Sequence, residues 1–316
     1  AAFGNQWHHQ NTGQSGGTAG ADVSSCDAWG ISYNNVTPLG DTIVVAVIDN
    51  GFFINHVDID FFVNHNEIPN NGIDDDGNGY IDDVNGWNTY DDTNHISSRS
   101  HGTHVAGIVG AKGNNGIGGV GMLWGGKILA IQGSSTLEST VLKSYNYALD
   151  MRALYDSTNG AKGAFVVATN SSFGVDSGLP SGYPLWCAFY DSLGSYGILN
   201  PAATTNSNTN VDTDGDIPTT CLSDYMIAVT NTDRNNNQSA GYGATHIDLG
   251  APGTDVYSTL PNNSYGNRNG TSMATPVVAG TIALMHSIGC ANFATLYKQK
   301  PDSMALEIRN AIINQG

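Results

Sequence analysis

Four short apolar runs rich in β-branched residues, Ile43 to Ile48, Ile128 to Ile131, Phe165 to Ala168 and Met226 to Val229, set the strongest limit on how this chain can fold. Each has the length of a buried strand. Helical patterns lie between them, as at Leu137 to Leu154, where Leu137, Val141, Leu142, Tyr145 and Leu149 recur at helical spacing. Strands that alternate with helices in this way predict an α/β fold, a mostly parallel sheet with helices on both faces. At 316 residues the chain can bury a sizeable core, and no linker composition divides it, so one domain over 1–316 is expected. The polar stretches Asn206 to Asp216 and Asn231 to Gly243 read as loops.

Three short motifs stand at element boundaries. Asp49 ends the first apolar run and is followed by Asn50-Gly51, a strand that stops at a turn. His101 lies in Ser100-His-Gly-Thr-His-Val-Ala-Gly107. Ser272, in Asn269-Gly-Thr-Ser-Met-Ala-Thr-Pro276, heads an apolar, helix-like stretch running to Met285. A serine hydroxyl attacks a carbonyl only when a base takes its proton and a carboxylate holds that base in the right tautomer. Asp49, His101 and Ser272 supply one of each.

The order Asp, His, Ser and the words around it resemble the subtilase family of serine endopeptidases, through VAVIDNGFFINHVDI, SHGTHVAGIVGA and NGTSMATPVVAG. The resemblance runs from about Trp7 to about Ile313. It implies a subtilisin-like fold with the catalytic residues at strand ends, an acyl-enzyme mechanism on protein or peptide substrates, and a precursor with a signal peptide and a folding propeptide. It further implies an oxyanion asparagine. Two asparagines compete for that role, Asn170 in Val167-Ala-Thr-Asn-Ser-Ser-Phe-Gly174 and Asn206 in Asn200-Pro-Ala-Ala-Thr-Thr-Asn206, and Asn206 is preferred. Thr205 stands where subtilases carry a glycine, so specificity does not transfer from the family. Substrate is expected to add as an extended strand beside Gly133, Ser134 and Ser135 and beside Ser172, Phe173 and Gly174. His104 is read as a packing residue, since no HExxH accompanies its spacing from His101. A subtilase-shaped binding module without activity is the rival reading, and the intact set of Asp49, His101, Ser272 and Asn206 speaks against it.

Two further motif matches carry no function. Gly13 to Gly17 fits the hydrolase pattern GxSxG, but no strand precedes it; Gly116 to Gly121 fits GxGxxG, but it follows a helical segment instead of a strand.

A net charge of −17, from 28 acidic and 11 basic residues, repels nucleic acid and anionic membranes, so neither is expected as a partner. No apolar run approaches bilayer length, and the chain opens Ala1-Ala-Phe-Gly without methionine. It reads as a mature, secreted, extracellular and monomeric enzyme. Cys26, Cys187, Cys221 and Cys290 permit two disulfides in three connectivities. Cys187 with Cys221 is favoured because both flank the segment around Asn206, Cys26 with Cys290 following as the remainder; four reduced thiols stay open.

Calcium is the expected cofactor. Asp74, Asp76, Asn78, the Tyr80 carbonyl and Asp82, with Gly79 at the turn, fall on the one, three, five, seven, nine and six positions of an EF-hand loop. Asn85 takes the twelfth, where a bidentate glutamate is usual. Asp74, Asp75, Asp76, Asp82, Asp83 and nearby Glu67 crowd like charge there, which a cation would neutralise. A second calcium site is implied by the resemblance alone, with side-chain oxygens from Asp58 and Asn115 and carbonyls from Gly113, Ile117 and Gly119. Asp212, Asp214 and Asp216 are a third candidate, equally readable as a turn.

Overall fold

The structure is a computed structural model that describes residues 2–315. In chain order its strands are β1 (Val44–Asp49), β2 (Trp87–Asn88), β3 (Lys127–Gln132), β4 (Val166–Ser171), β5 (Val175–Asp176), β6 (Asn200–Ala203), β7 (Asp216–Ile217), β8 (Met226–Thr232), β9 (Leu249–Pro252), β10 (Val256–Leu260) and β11 (Ser264–Arg268). The helices are α1 (Ser25–Trp29), α2 (Ser100–Gly110), α3 (Glu138–Ser157), α4 (Pro184–Ser195), α5 (Val211–Asp214), α6 (Thr271–His286), α7 (Ala291–Gln299) and α8 (Pro301–Gln315). Seven strands form one sheet in the order β2-β3-β1-β4-β6-β8-β9, and every pairing in it is parallel.

The apolar runs are continuous because this sheet is covered on both faces. Along β1, Val45 and Val47 enter one core with α2 and α6, while Val44, Ala46 and Ile48 enter the other with α3 and α4. Period-two alternation thus sorts side chains between two cores, with none left for solvent. β3 lies on one side of β1 and β4 on the other, so the chain first crosses to one side of β1 and then, from β3, to the other. In open parallel sheets such a switch point leaves a crevice beyond the strand ends. Asp49 is the last residue of β1 and lies there.

All four apolar runs are strands, and the long helical pattern is α3, which begins at Glu138 because exposed Leu137 is its N-cap. β6 keeps Pro201 within the sheet, where it lacks an N–H to give, and its ladder to β4 has a single register pair, Ser171 with Ala202. The expected loop from Asn206 contains the one-turn helix α5. Cys187 and Cys221 are bonded, with Cα atoms 5.1 Å apart. The remainder pairing is corrected: Cys26 is half-buried at α1 and Cys290 is exposed at the start of α7, and both are free thiols. Among the described residues no single helix is long and apolar enough to cross a membrane.

Candidate active site

Two helices aim their first turns at the crevice. α2 begins at Ser100 and presents His101, and its third residue, Gly102, meets the end of β1 without room for a side chain. A Cβ there would lie 2.3 Å from the Gly51 carbonyl and 2.9 Å from Asp49 Cβ. That close approach brings the imidazole to the carboxylate. Thr103 Oγ1 fixes the same turn, donating to the Arg99 carbonyl at 2.6 Å and accepting from the Phe53 N–H at 2.8 Å.

His101 Nδ1 lies 2.8 and 2.9 Å from the two oxygens of Asp49, which is 2% exposed and also accepts the Asn50 N–H at 2.7 Å. An acceptor-only carboxylate demands the proton on Nδ1, so a neutral His101 carries its lone pair on Nε2. This is the tautomer a base needs.

α6 starts at Thr271 and holds Ser272 at its second position. The Ser272 hydroxyl donates to the Ser172 carbonyl at 3.1 Å, and the Ser172 hydroxyl returns a bond to the Ser272 carbonyl at 2.9 Å. Resting hydroxyls in ligand-free sites commonly take such alternative acceptors and turn to the base when substrate is bound.

The first N–H groups of a helix have no partner inside it. Here the Thr271 N–H goes to Asn206 Oδ1 at 2.9 Å and the Met273 N–H to the Gly270 carbonyl at 2.9 Å. The Ser272 N–H is left without a partner among the described residues. Asn206 spends its side-chain carbonyl on Thr271, the residue before Ser272, which fixes the amide orientation and leaves its NH₂ without a partner among the described residues. Gly270 makes room with φ at 137°, a backbone state that side chains resist, and a Cβ there would stand 2.9 Å from Asn206 Oδ1. Asn170 is fully buried, and its amide is spent on Ser172 Oγ at 3.0 Å. His104 is buried and bonds the Gly266 carbonyl at 3.0 Å, and burial pushes its imidazole down to about 3.

A model of the Subtilase family matches residues 40–314. The chain belongs to the subtilase family. It is similar to Subtilisin Savinase of Lederbergia lenta, 31% identical over 300 residues that cover 90% of each chain. It is also 31% identical over 268 residues to Subtilisin-like protease 1 of Plasmodium falciparum, covering 77% of this chain and 37% of that protein's length. Among solved structures, proteases from Pseudoalteromonas arctica match with a TM-score of 0.63 at 23% identity, covering 99% of this chain and 90% of theirs. A cold adapted subtilisin-like serine proteinase matches with a TM-score of 0.58 at 21% identity, over 86% and 82%. These two likenesses bear on the fold, which is the subtilase one.

On this subtilase the expected substrate edges are partly engaged. The N–H groups of Gly133 and Ser134 both donate to the Asp49 carbonyl, at 2.8 and 3.2 Å, and the Tyr90 hydroxyl donates to the Ser134 carbonyl. Among the described residues the Ser135 backbone keeps both groups open. Opposite, Ser172 is buried and Phe173 and Gly174 are half-buried, with Phe173 against the Trp186 ring at 5.9 Å.

The acidic loop gathers a different carboxylate set from the EF-hand register. Glu67, Asp76 and Asp83, all buried, bring one oxygen each within 4.8 Å of one another. Burial pushes the Asp83 carboxyl up to about 6, helped by the charge of Asp76. Asp74 instead accepts the N–H groups of Gly77, Asn78 and Gly79, and Asp82 those of Asn71 and Gly72. Asn78 gives its amide to Asp83 at 2.9 Å, and the Tyr80 hydroxyl bonds Asp150. Of the expected ligands, only Asp76 lies in the converging trio. Glu67 and Asp83 were visible in the sequence as charge, but sit outside the loop spacing that selected ligands.

At the second site Asp58 is buried, one oxygen takes the Asn115 amide at 2.5 Å, and the Tyr265 phenol lies beside the other. Gly118 stands against that oxygen, where a Cβ would come within 2.3 Å. A buried carboxylate beside the loop of residues 113–119 has the chemistry of a hard-cation ligand. The third candidate does not fit one. Asp212 pairs with His246 at 2.8 Å, Asp214 is exposed, and Asp216 is buried under hydroxyl and amide donors.

Proposed function

We propose that this chain is a serine endopeptidase that cleaves peptide bonds through Asp49, His101 and Ser272. The observation that carries the reading is a buried carboxylate bonded through both oxygens to His101 Nδ1, at the crevice toward which α6 turns Ser272. Ser272 Oγ bonds to the substrate carbonyl carbon while its proton passes to His101 Nε2, and the carbonyl π electrons move onto oxygen. The unpaired Ser272 N–H and the Asn206 NH₂ receive that oxyanion, assisted by the positive end of α6. Collapse breaks the C–N bond as His101 returns the proton to the leaving amine. Water, deprotonated by the same base, then releases the acid. Asp49 orients His101 and stabilises its charged form. Peptide pairs as an extended strand with the chain from Gly133 to Ser135 and from Ser172 to Gly174.

Calcium is proposed to stabilise the fold at two places. Glu67, Asp76 and Asp83, with Asn78 and the Tyr80 carbonyl alongside, would hold one ion; Asp58, Asn115 and carbonyls of Gly113, Ile117 and Gly119 would hold another. Their buried charge would then be neutralised. Action outside the cell as a monomer is supported by the Cys187–Cys221 disulfide and by the charge of −17. Family membership supports a propeptide on the precursor.

The test is labelling by a fluorophosphonate probe together with casein digestion, in the parent and in Ser272→Ala, His101→Ala, Asn206→Ala and Asn170→Ala. Labelling and turnover should vanish with Ser272→Ala and nearly vanish with His101→Ala. Asn206→Ala should lower kcat by about a hundred- to a thousandfold, a magnitude carried over from subtilisin itself. Turnover by a Ser272→Ala chain, or a catalytic loss that follows Asn170 and spares Asn206, would overturn the assignment concerned.

A further inference from the structure

The strand end that presents Asn206 is held by a buried carboxylate outside the machinery above. Asp216 is 1% exposed, and its Oδ2 takes three hydrogen bonds, from Thr219 Oγ1 at 2.5 Å, Thr204 Oγ1 at 2.8 Å and the Thr205 N–H at 3.0 Å. The carbonyl of Thr204 takes the Thr271 hydroxyl at 2.6 Å, and the Thr271 N–H holds Asn206. One oxygen therefore reaches, through Thr204 and Thr205, both the oxyanion amide and the first residue of the nucleophile's helix. β7 also pairs Asp216 with Asp176 of β5, just beyond Ser172 to Gly174. Asp216 thus joins the two walls of the crevice.

Burial and the nearby charge of Asp176 both disfavour ionisation there. A serine or asparagine could hydrogen-bond Thr204 and Thr219 without that cost. A carboxylate oxygen holds the three donors more tightly than a neutral amide oxygen in its place would, because a charged acceptor makes the stronger hydrogen bonds.

We infer that Asp216 is a positioning residue for the oxyanion site, fixing Thr204 and Thr205 so that the Asn206 amide keeps one geometry. This rests on the reading of Asn206 as oxyanion donor. Asp216 touches no reacting atom, and its effect passes through Asn206.

The experiment is a double-mutant cycle on kcat and KM with two peptide amide substrates, one cationic and one neutral beside the cleaved bond, together with melting temperatures, in the parent, Asp216→Asn, Asn206→Ala and the double variant. Asp216→Asn should lower kcat about tenfold with KM within about twofold, and should add no further loss once Asn206 is alanine. Equal losses in both backgrounds would overturn the inference. So would a fall in melting temperature with kcat unchanged, or a loss confined to peptides with a cationic residue beside the cleaved bond, which would place the carboxylate on substrate. If Asn206→Ala alone leaves kcat intact, the oxyanion reading itself fails, a result obtained without touching Asp216, and the inference falls with it. Should Asp216→Asn not accumulate folded, Thr219→Val carries the same test by removing one donor: about a threefold loss in kcat, again absent in the Asn206→Ala background.

Discussion

Replacing His286 by phenylalanine should make this protein more tolerant of acid. His286 ends α6 inside an aromatic cage, with the Tyr297 ring at 4.4 Å and those of Phe293 and Phe165 at 6.0 and 6.2 Å, and its Nε2 has no partner among the described residues. Burial, with the Arg152 guanidinium nearby, pushes the imidazole down from 6.5 to about 3. The folded chain therefore refuses a proton that the unfolded chain accepts below pH 6.5. For a depressed histidine the contribution to stability is intact above the unfolded pKa and is lost as pH falls below it. The slope is about 1.4 kcal/mol per pH unit, which between pH 7 and pH 5 integrates to about 2 kcal/mol. Phenylalanine keeps the ring and removes the titration. Urea unfolding of Ser272→Ala and Ser272→Ala/His286→Phe at both pH values, in a background that cannot digest itself, measures the difference. Any constant effect of repacking cancels between pH values. An identical pH 7 to pH 5 loss in both chains would refute the reasoning.

Three other outcomes follow from the geometry. Calcium at a hundredfold excess over Kd should raise stability by about 2.7 kcal/mol per site, and Glu67→Gln with Asp83→Asn should abolish the share from the acidic loop while Asp74→Ala leaves it; melting and autolysis with and without EDTA decide, and no response to chelation would make the trio a solvated cluster. Thiol titration of the denatured, unreduced protein should find two reactive cysteines, Cys26 and Cys290, and four would remove the Cys187–Cys221 bond. Peroxide should inactivate the parent through Met273, next to Ser272, and spare Met273→Ala; equal sensitivity would exclude that residue.

The layers of the fold were legible because β1, β3, β4 and β8 are buried on both faces, so that composition alone marks them. β9 was not, since Leu249-Gly-Ala-Pro252 has too few apolar side chains to stand out, and neither was the short β6, which contains Pro201. Asp49, His101 and Ser272 were legible as motifs at element ends, which the structure places at the ends of β1, α2 and α6. Spacing along a chain holds no orientation, so it does not separate Asn170 from Asn206. The Thr271 N–H that turns the Asn206 amide, and the Asp216 carboxylate beyond the loop, are contacts between segments brought together only by folding. Similarly, the EF-hand spacing draws on one continuous loop, whereas Glu67, whose carboxylate converges with those of Asp76 and Asp83, stands before that loop in sequence.

α6 is buried along almost its whole length, from Thr271 to Leu284, between the sheet and α2. Ser272 is therefore mounted on an element that cannot fray by itself without opening the core. A proteolytic cut in an exposed loop, such as the one carrying Asn262 and Asn263, would leave that mount in place. Preparations of this protein should thus contain nicked chains that still turn over substrate. Loss of activity during storage would track complete unfolding, and the count of intact polypeptides on a gel would underestimate the enzyme that remains.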